Sequence, residues 1–151
     1  MADIEARKSN APFIHEIRVG WGDCDVAKIA YTARLPWFAL EAIDAWWEYQ
    51  TGGKGWYQLN LDNGIGTPFV HMEMDFRSPV TPRHRLLCQV EVTRMGETSI
   101  EFRVTGRQAD VVCFEGRYVC VFVEAESFEK RRPPQPILDL IASQLQAGNG
   151  D

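Results

Sequence analysis

Between Val19 and Tyr31 the chain reads VGWGDCDVAKIAY. Three side chains there could do chemistry: the carboxylates of Asp23 and Asp25 and the thiol of Cys24 between them. A carboxylate can attack an electrophilic carbonyl, or take a proton from a water that attacks in its place. A reactive thiolate is the poorer reading, because two flanking negative charges repel a third. Cys24 therefore reads as a small buried residue. From the residues alone, both acids are equally turn or helix-capping groups, roles in which Asp is favoured. Other candidates are isolated. Glu41 falls on the polar side of a helical pattern. His71 sits alone in a strand-like run, where a histidine is more often packed or solvated than catalytic; His15 and His84 read as structural. His71-x-Glu73 matches part of a deaminase signature, but no PCxxC follows. With no CxxC pair and three histidines, no metal site is expected.

Several elements must position these groups. Phe13 to Trp21 alternates like a strand, and Gly20 and Gly22 then loosen the chain into the acidic turn. Pro36 suits a first helical turn, and the run from Trp37 places Leu40, Ile43 and Trp47 on one stripe, with Trp37, Ala39 and Trp46 beside it. Gly52-Gly53 should close that aromatic helix, which reads as the central, deeply buried one. A loop over residues 54–65 with a short turn of structure comes next, and Asn63-Gly64 is a turn signal. Four strands at hairpin spacing follow, at residues 67–77, 86–95, 99–107 and 111–124, and then a short helix over residues 137–145. Strands gathered around one early helix predict an α+β domain.

The chain has 151 residues, enough for one core, and 45% are hydrophobic. A net charge of −5 argues against nucleic acid as a partner, since phosphate neutralisation needs a basic face. No apolar run is long enough to span a membrane, and the first ten residues lack the apolar core of a signal peptide. A cytoplasmic protein with reduced thiols is the expectation.

The order of one strand, GDCD, a long helix and four antiparallel strands resembles the hotdog-fold acyl-CoA thioesterases, and within them the 4-hydroxybenzoyl-CoA thioesterase-like branch. Residues 22–25 with Ala27, Ile29 and Tyr31 resemble that branch's active-site segment, and Gly66-Thr67-Pro68 a second block. Phe76, Pro79 and the Gly96…Ser99 turn also fall where that family places them, so the likeness covers roughly residues 13–136. The chain departs at Val26 and Lys28, where many members have Pro and Gly. Ala33-Arg34-Leu35 replaces a Pro-Asn-Tyr lead into the helix, and Gly96-Glu97-Thr98 a basic cluster.

The resemblance implies an antiparallel sheet wrapped around a long central helix. The polar ends at 1–12 and 147–151 are expected to be flexible, and the resemblance implies a single hotdog domain at 13–146. It implies hydrolysis of an acyl-CoA, with Asp25 as nucleophile or general base and the backbone N–H of Thr32, at the helix start, polarising the carbonyl. Tyr31, Trp37, Thr67, Pro68 and His71 would contact substrate; Arg94, Ser99, Lys130 and Arg131 would face coenzyme A. The Trp56-Tyr57 pair is a further candidate for an aromatic acyl pocket, though such residues are as often core. No cofactor beyond the substrate's coenzyme A is expected, and no metal. A homodimer, assembled further into a homotetramer, is the expected partner state, with the long 111–124 strand continuing the sheet across it. Two alternatives stay open: a non-catalytic acyl-CoA-binding module, and an enoyl-thioester hydratase or dehydratase, which would need a histidine beside the acid.

Overall fold

The computed structural model describes residues 11–148; the expected flexible ends fall largely outside them. Its elements are β1 (Phe13–Ile17), a 3-10 turn (Trp21–Asp23), α1 (Arg34–Thr51), α2 (Trp56–Leu61), β2 (Ile65–Gly66), β3 (Phe69–Phe76), β4 (Leu86–Met95), β5 (Ser99–Gln108), β6 (Val111–Val121), β7 (Val123–Glu124) and α3 (Gln135–Gly148). Five strands form one antiparallel sheet in the order β1-β4-β5-β6-β3, and β2 pairs with β7.

Alternation explains the sheet's two faces. Register sets Val92, Phe102, Tyr118 and Met72 side by side. Phe102 and Tyr118 are fully buried on this inner face, where α1 lies. The neighbouring row of Glu91, Arg103, Arg117 and Glu73 forms the solvent face. Gly116 is small for a reason: a Cβ there would sit 2.5 Å from the Tyr118 ring. α1 presses Trp46 and Trp47 onto Phe102 and Phe122, with edge-to-face ring centroids 5.1–6.4 Å apart. Gly52 ends the helix at φ 66°, the left-handed cap its sequence predicts.

The buried stripe of α1 runs through Leu35, Phe38, Ala39, Ala42, Ile43, Trp46 and Trp47. It is rotated from the expected one, leaving Trp37 exposed and Leu40 half-buried. The 13–21 strand stops at Ile17, because residues 21–23 fold into a 3-10 turn. The expected 54–65 loop contains α2, whose first turn is capped from α1: the Trp56 N–H donates to Asp44 Oδ1 at 2.8 Å. The 111–124 strand breaks at Phe122, whose side chain is fully buried while its N–H turns to the Thr98 carbonyl. This strand lies inside the sheet, between β5 and β3, so it cannot continue the sheet across a dimer. The sheet's edges are β1 and β3.

Candidate active site

The acidic segment is a short loop pinned at both ends. Its start packs Val19 into the core and its end packs Ala30, whose N–H donates to the Val80 carbonyl at 2.7 Å. Between them the chain folds back on itself through a bridge between Cys24 and Ala30.

The two carboxylates do different things. Asp23 accepts from the Gly20 N–H at 2.8 Å and, through Oδ1, from Arg34 Nε and Nη2 at 3.0 and 2.6 Å. Burial alone would push its carboxyl up. The hydrogen bonds from Gly20 and Arg34, with the charges of Arg34 and Arg18, outweigh that and hold it below its ordinary 3.8. Asp23 thus ties the turn to the first residue of α1. Asp25 is exposed and opens a turn, its Oδ1 accepting the Ala27 N–H at 2.8 Å and its carbonyl the Lys28 N–H at 2.9 Å. Among the described residues it has no ion pair, and Oδ2 has no donor. The turn places Lys28 at φ 65°, a conformation glycine adopts most easily. Cys24 is half-buried rather than buried, its thiol turned toward the Gly20 carbonyl at 3.7 Å.

Thr32 lies two residues before α1 proper, which begins at Arg34 after Ala33 as its N-cap. Among the described residues no side chain caps this end. The Tyr31 N–H donates to Asp23, but among the described residues those of Thr32 and Ala33 have no acceptor. Free N–H groups at a helix start favour developing negative charge. Tyr31 and Trp37 stand exposed in the same neighbourhood, with the Arg34 guanidinium 5.8 Å from the Trp37 ring centre.

The remaining candidates lie elsewhere. Thr67 and Pro68 precede β3, and Thr67 helps line a cavity of about 210 Å³ with Trp56, Asn60 and Phe69. Asp25 belongs to the loop held at Val80, beyond the other end of β3. At ~3.3 Å per residue, eight residues of β3 separate the two by roughly 26 Å. α1, which begins beside Asp25 and ends near α2, spans a similar distance, about 27 Å for its 18 residues. One chain therefore does not bring Thr67, Pro68 or Trp56 to Asp25. His71 shares the solvent face with Glu73 and bonds to it at 3.2 Å, so it does not enter that cavity. Glu41 is engaged by His15 at 3.0 Å.

Of the expected coenzyme A contacts, Arg131 is held by Glu124 at 3.1 Å, and Lys130 bridges to Val123. Ser99 closes the hairpin turn onto Gly96, and Arg94 lies across from Glu101 on β4. Sequence reasoning missed Asn60 and α2, which carry part of the cavity; the Gly52–Gly55 cluster hid a helix of only six residues. No helix among the described residues is long and apolar enough to cross a membrane.

A family profile described as the thioesterase-like superfamily matches residues 19–145. A solved thioesterase-superfamily structure from Jannaschia sp. CCS1 is 52% identical, with 94% of this chain and 99% of that one covered and a TM-score of 0.86. A 1,4-dihydroxy-2-naphthoyl-CoA thioesterase from Synechocystis is 21% identical, with 87% and 96% covered and a TM-score of 0.75. A gentisyl-coenzyme A thioesterase is 17% identical, with 83% and 99% covered and a TM-score of 0.74. The last two share the fold. No curated protein matches the chain. With the profile spanning the acidic segment, the central helix and every strand of the sheet but β1, the chain belongs to the thioesterase-like superfamily, hotdog-fold enzymes that hydrolyse thioesters.

Proposed function

We propose that this protein hydrolyses an acyl-CoA thioester to the free acid and coenzyme A, with Asp25 as the carboxylate that attacks or activates water. One observation carries the reading: of the two acids in the segment, Asp25 alone is exposed and unneutralised, beside a helix start with free N–H groups. A carbonyl oxygen placed against the Thr32 N–H would have its negative charge stabilised as the tetrahedral intermediate forms. Donors of this kind are worth ~10²–10³ in rate. The reading asks for no cofactor beyond the substrate's own coenzyme A. Four free thiols suit a reducing compartment, the cytoplasm.

The rest of the site comes from a second copy in this reading. β3 is an open edge, and on its inner row Met72 and Phe76 remain 41% and 54% exposed, which a lone chain leaves to water. Antiparallel pairing of β3 with its own copy reverses the strand. The start of the partner's β3, with its Thr67 cavity, then meets the end that holds Asp25. Two such dimers would make the homotetramer. The aromatic lining of that cavity, Trp56 and Phe69 with ring centroids 5.8 Å apart, suits an aromatic acyl group. Both relatives named for their substrates act on such groups.

Asp25→Asn tests the reading, with thiol release from benzoyl-type and aliphatic acyl-CoAs as the measure. Turnover should fall by ~10²–10⁴ while acyl-CoA still binds. Turnover equal to wild type would sink it. Binding by the wild type without any thiol release would point to a non-catalytic module.

A further inference from the structure

The pairing Ile17 with Leu86 is the last between β1 and β4. The next residue on each chain is an arginine, Arg18 and Arg85. Like charges carried side by side on neighbouring strands repel. Arg83 and His84 come just before, and these four side chains with Trp21 line a groove of about 370 Å³. No acid lines it. Several other arginines are matched: Arg34 by Asp23, Arg77 by Asp75 and Glu115, Arg117 by Glu73 and Glu101, Arg131 by Glu124. Arg94, Arg103 and Arg132 are exposed without an ion pair among the described residues, but none of them lines this groove. Among the described residues, Arg18, Arg83 and Arg85 form no ion pair and no side-chain hydrogen bond. The charge of Arg18 is felt at Asp23, but Arg34 already holds that carboxylate. On a chain of net charge −5, three unmatched guanidinium groups around one concavity call for a mobile anion.

Trp21 specifies the anion further. Its indole is 71% exposed at the rim of the groove. A large aromatic face left open beside guanidinium groups is a platform for a planar base, while the guanidinium forks match phosphate oxygens. We propose that this groove binds a phosphorylated nucleotide, with phosphates on Arg18, Arg83 and Arg85 and the purine against Trp21. Trp21 and Asp25 are four residues apart, so their Cα atoms lie within roughly 14 Å. That is shorter than an extended pantetheine arm, so an acyl-CoA with its thioester at Asp25 reaches the groove with its nucleotide end. This source of the nucleotide rests on the acyl-CoA reading above; the binding itself does not. A free nucleotide offers the same chemistry.

The test uses the full chain and Arg83→Ala/Arg85→Ala, with Trp21→Ala alongside, each checked for an unchanged melting temperature. Calorimetric titration with adenosine 3′,5′-bisphosphate, the nucleotide end of coenzyme A, should show binding to the wild type that weakens with salt. The double variant should bind about tenfold more weakly or worse. Trp21 fluorescence should change on binding. In parallel, kcat/KM for an acyl-CoA is divided by kcat/KM for the matching acyl N-acetylcysteamine thioester, which has no nucleotide. A ratio that falls about tenfold in the double variant assigns the groove to the substrate's own nucleotide. Nucleotide binding lost with that ratio unchanged assigns it to a free nucleotide. No binding to the wild type, or equal binding to the variant, overturns the proposal. The titration needs no turnover, so it decides the groove even if Asp25 proves not to hydrolyse acyl-CoA.

Discussion

Asp23 and Asp25 are separated by one residue, and the fold gives them opposite fates. Asp23 faces into the protein, its side chain 16% exposed; its Gly20 bond closes the loop on itself and its Arg34 bonds fasten the loop to α1. Asp25 faces out, with one oxygen closing its own turn and the other open. One acid commits its charge to Arg34 and fixes the backbone, while the other has no ion pair among the described residues. Composition makes them look equivalent; partners make them different.

That contrast breaks in a defined order. The largest effect tests whether Asp25 acts across a dimer while Asp23 acts within its own chain. Asp25→Asn and a cavity-filling Thr67→Trp should each abolish nearly all thiol release. Mixed, unfolded and refolded together, they should recover about a quarter of wild-type activity, because half of the dimers then carry one intact site of two. Failure to recover would place both residues in one chain's site. Asp23→Asn comes next. It removes the charge and one of the two oxygen acceptors, so Arg34 and the Gly20 N–H are no longer both satisfied; Arg34 is 41% exposed, so screening limits the loss to about 1–2 kcal/mol. Calorimetry should show a melting temperature lower by about 2–8 °C. No effect would mean the Arg34 pair is only a surface contact.

A smaller effect lies in pH. The folded state holds the Asp23 carboxyl below 3.8, so its contribution is whole above that value and fades as pH falls through the lower folded one. The stability gap between wild type and Asp23→Asn should therefore close below about pH 3.8 and stay constant from pH 5 to 7. A gap that stayed constant in acid would contradict the assignment. The smallest concerns the turn Asp25 opens. Lys28→Gly relieves a left-handed conformation at the cost of a freer unfolded chain, so stability should change by less than about 1 kcal/mol, with the sign favouring the variant. A clear loss would show that the Lys28 side chain contributes contacts of its own.

Periodicity made the sheet legible: β4 runs over the predicted residues, because Leu86, Cys88 and Val90 alternate cleanly onto the core. The long helix was legible too, and Gly52 marks its end. Its stripe was not, since Trp37 and Leu40 are as apolar as the residues actually buried. Only packing against the sheet selects which side turns inward. The short elements escaped for a related reason. α2 depends on a cap from Asp44, twelve residues earlier in the chain, and the 3-10 turn on a carboxylate shared with Arg34.

By itself the sequence determined the long helix, the main strands and the acidic segment, all properties of residue type and local spacing. Tertiary structure decided which acid is spent on Arg34, that the Thr67 cavity and Asp25 lie at opposite ends of β3, that the long apolar strand is interior, and that three arginines gather at the end of β1. Each of these depends on partners brought together from distant parts of the chain, and a one-dimensional pattern carries no record of who meets whom.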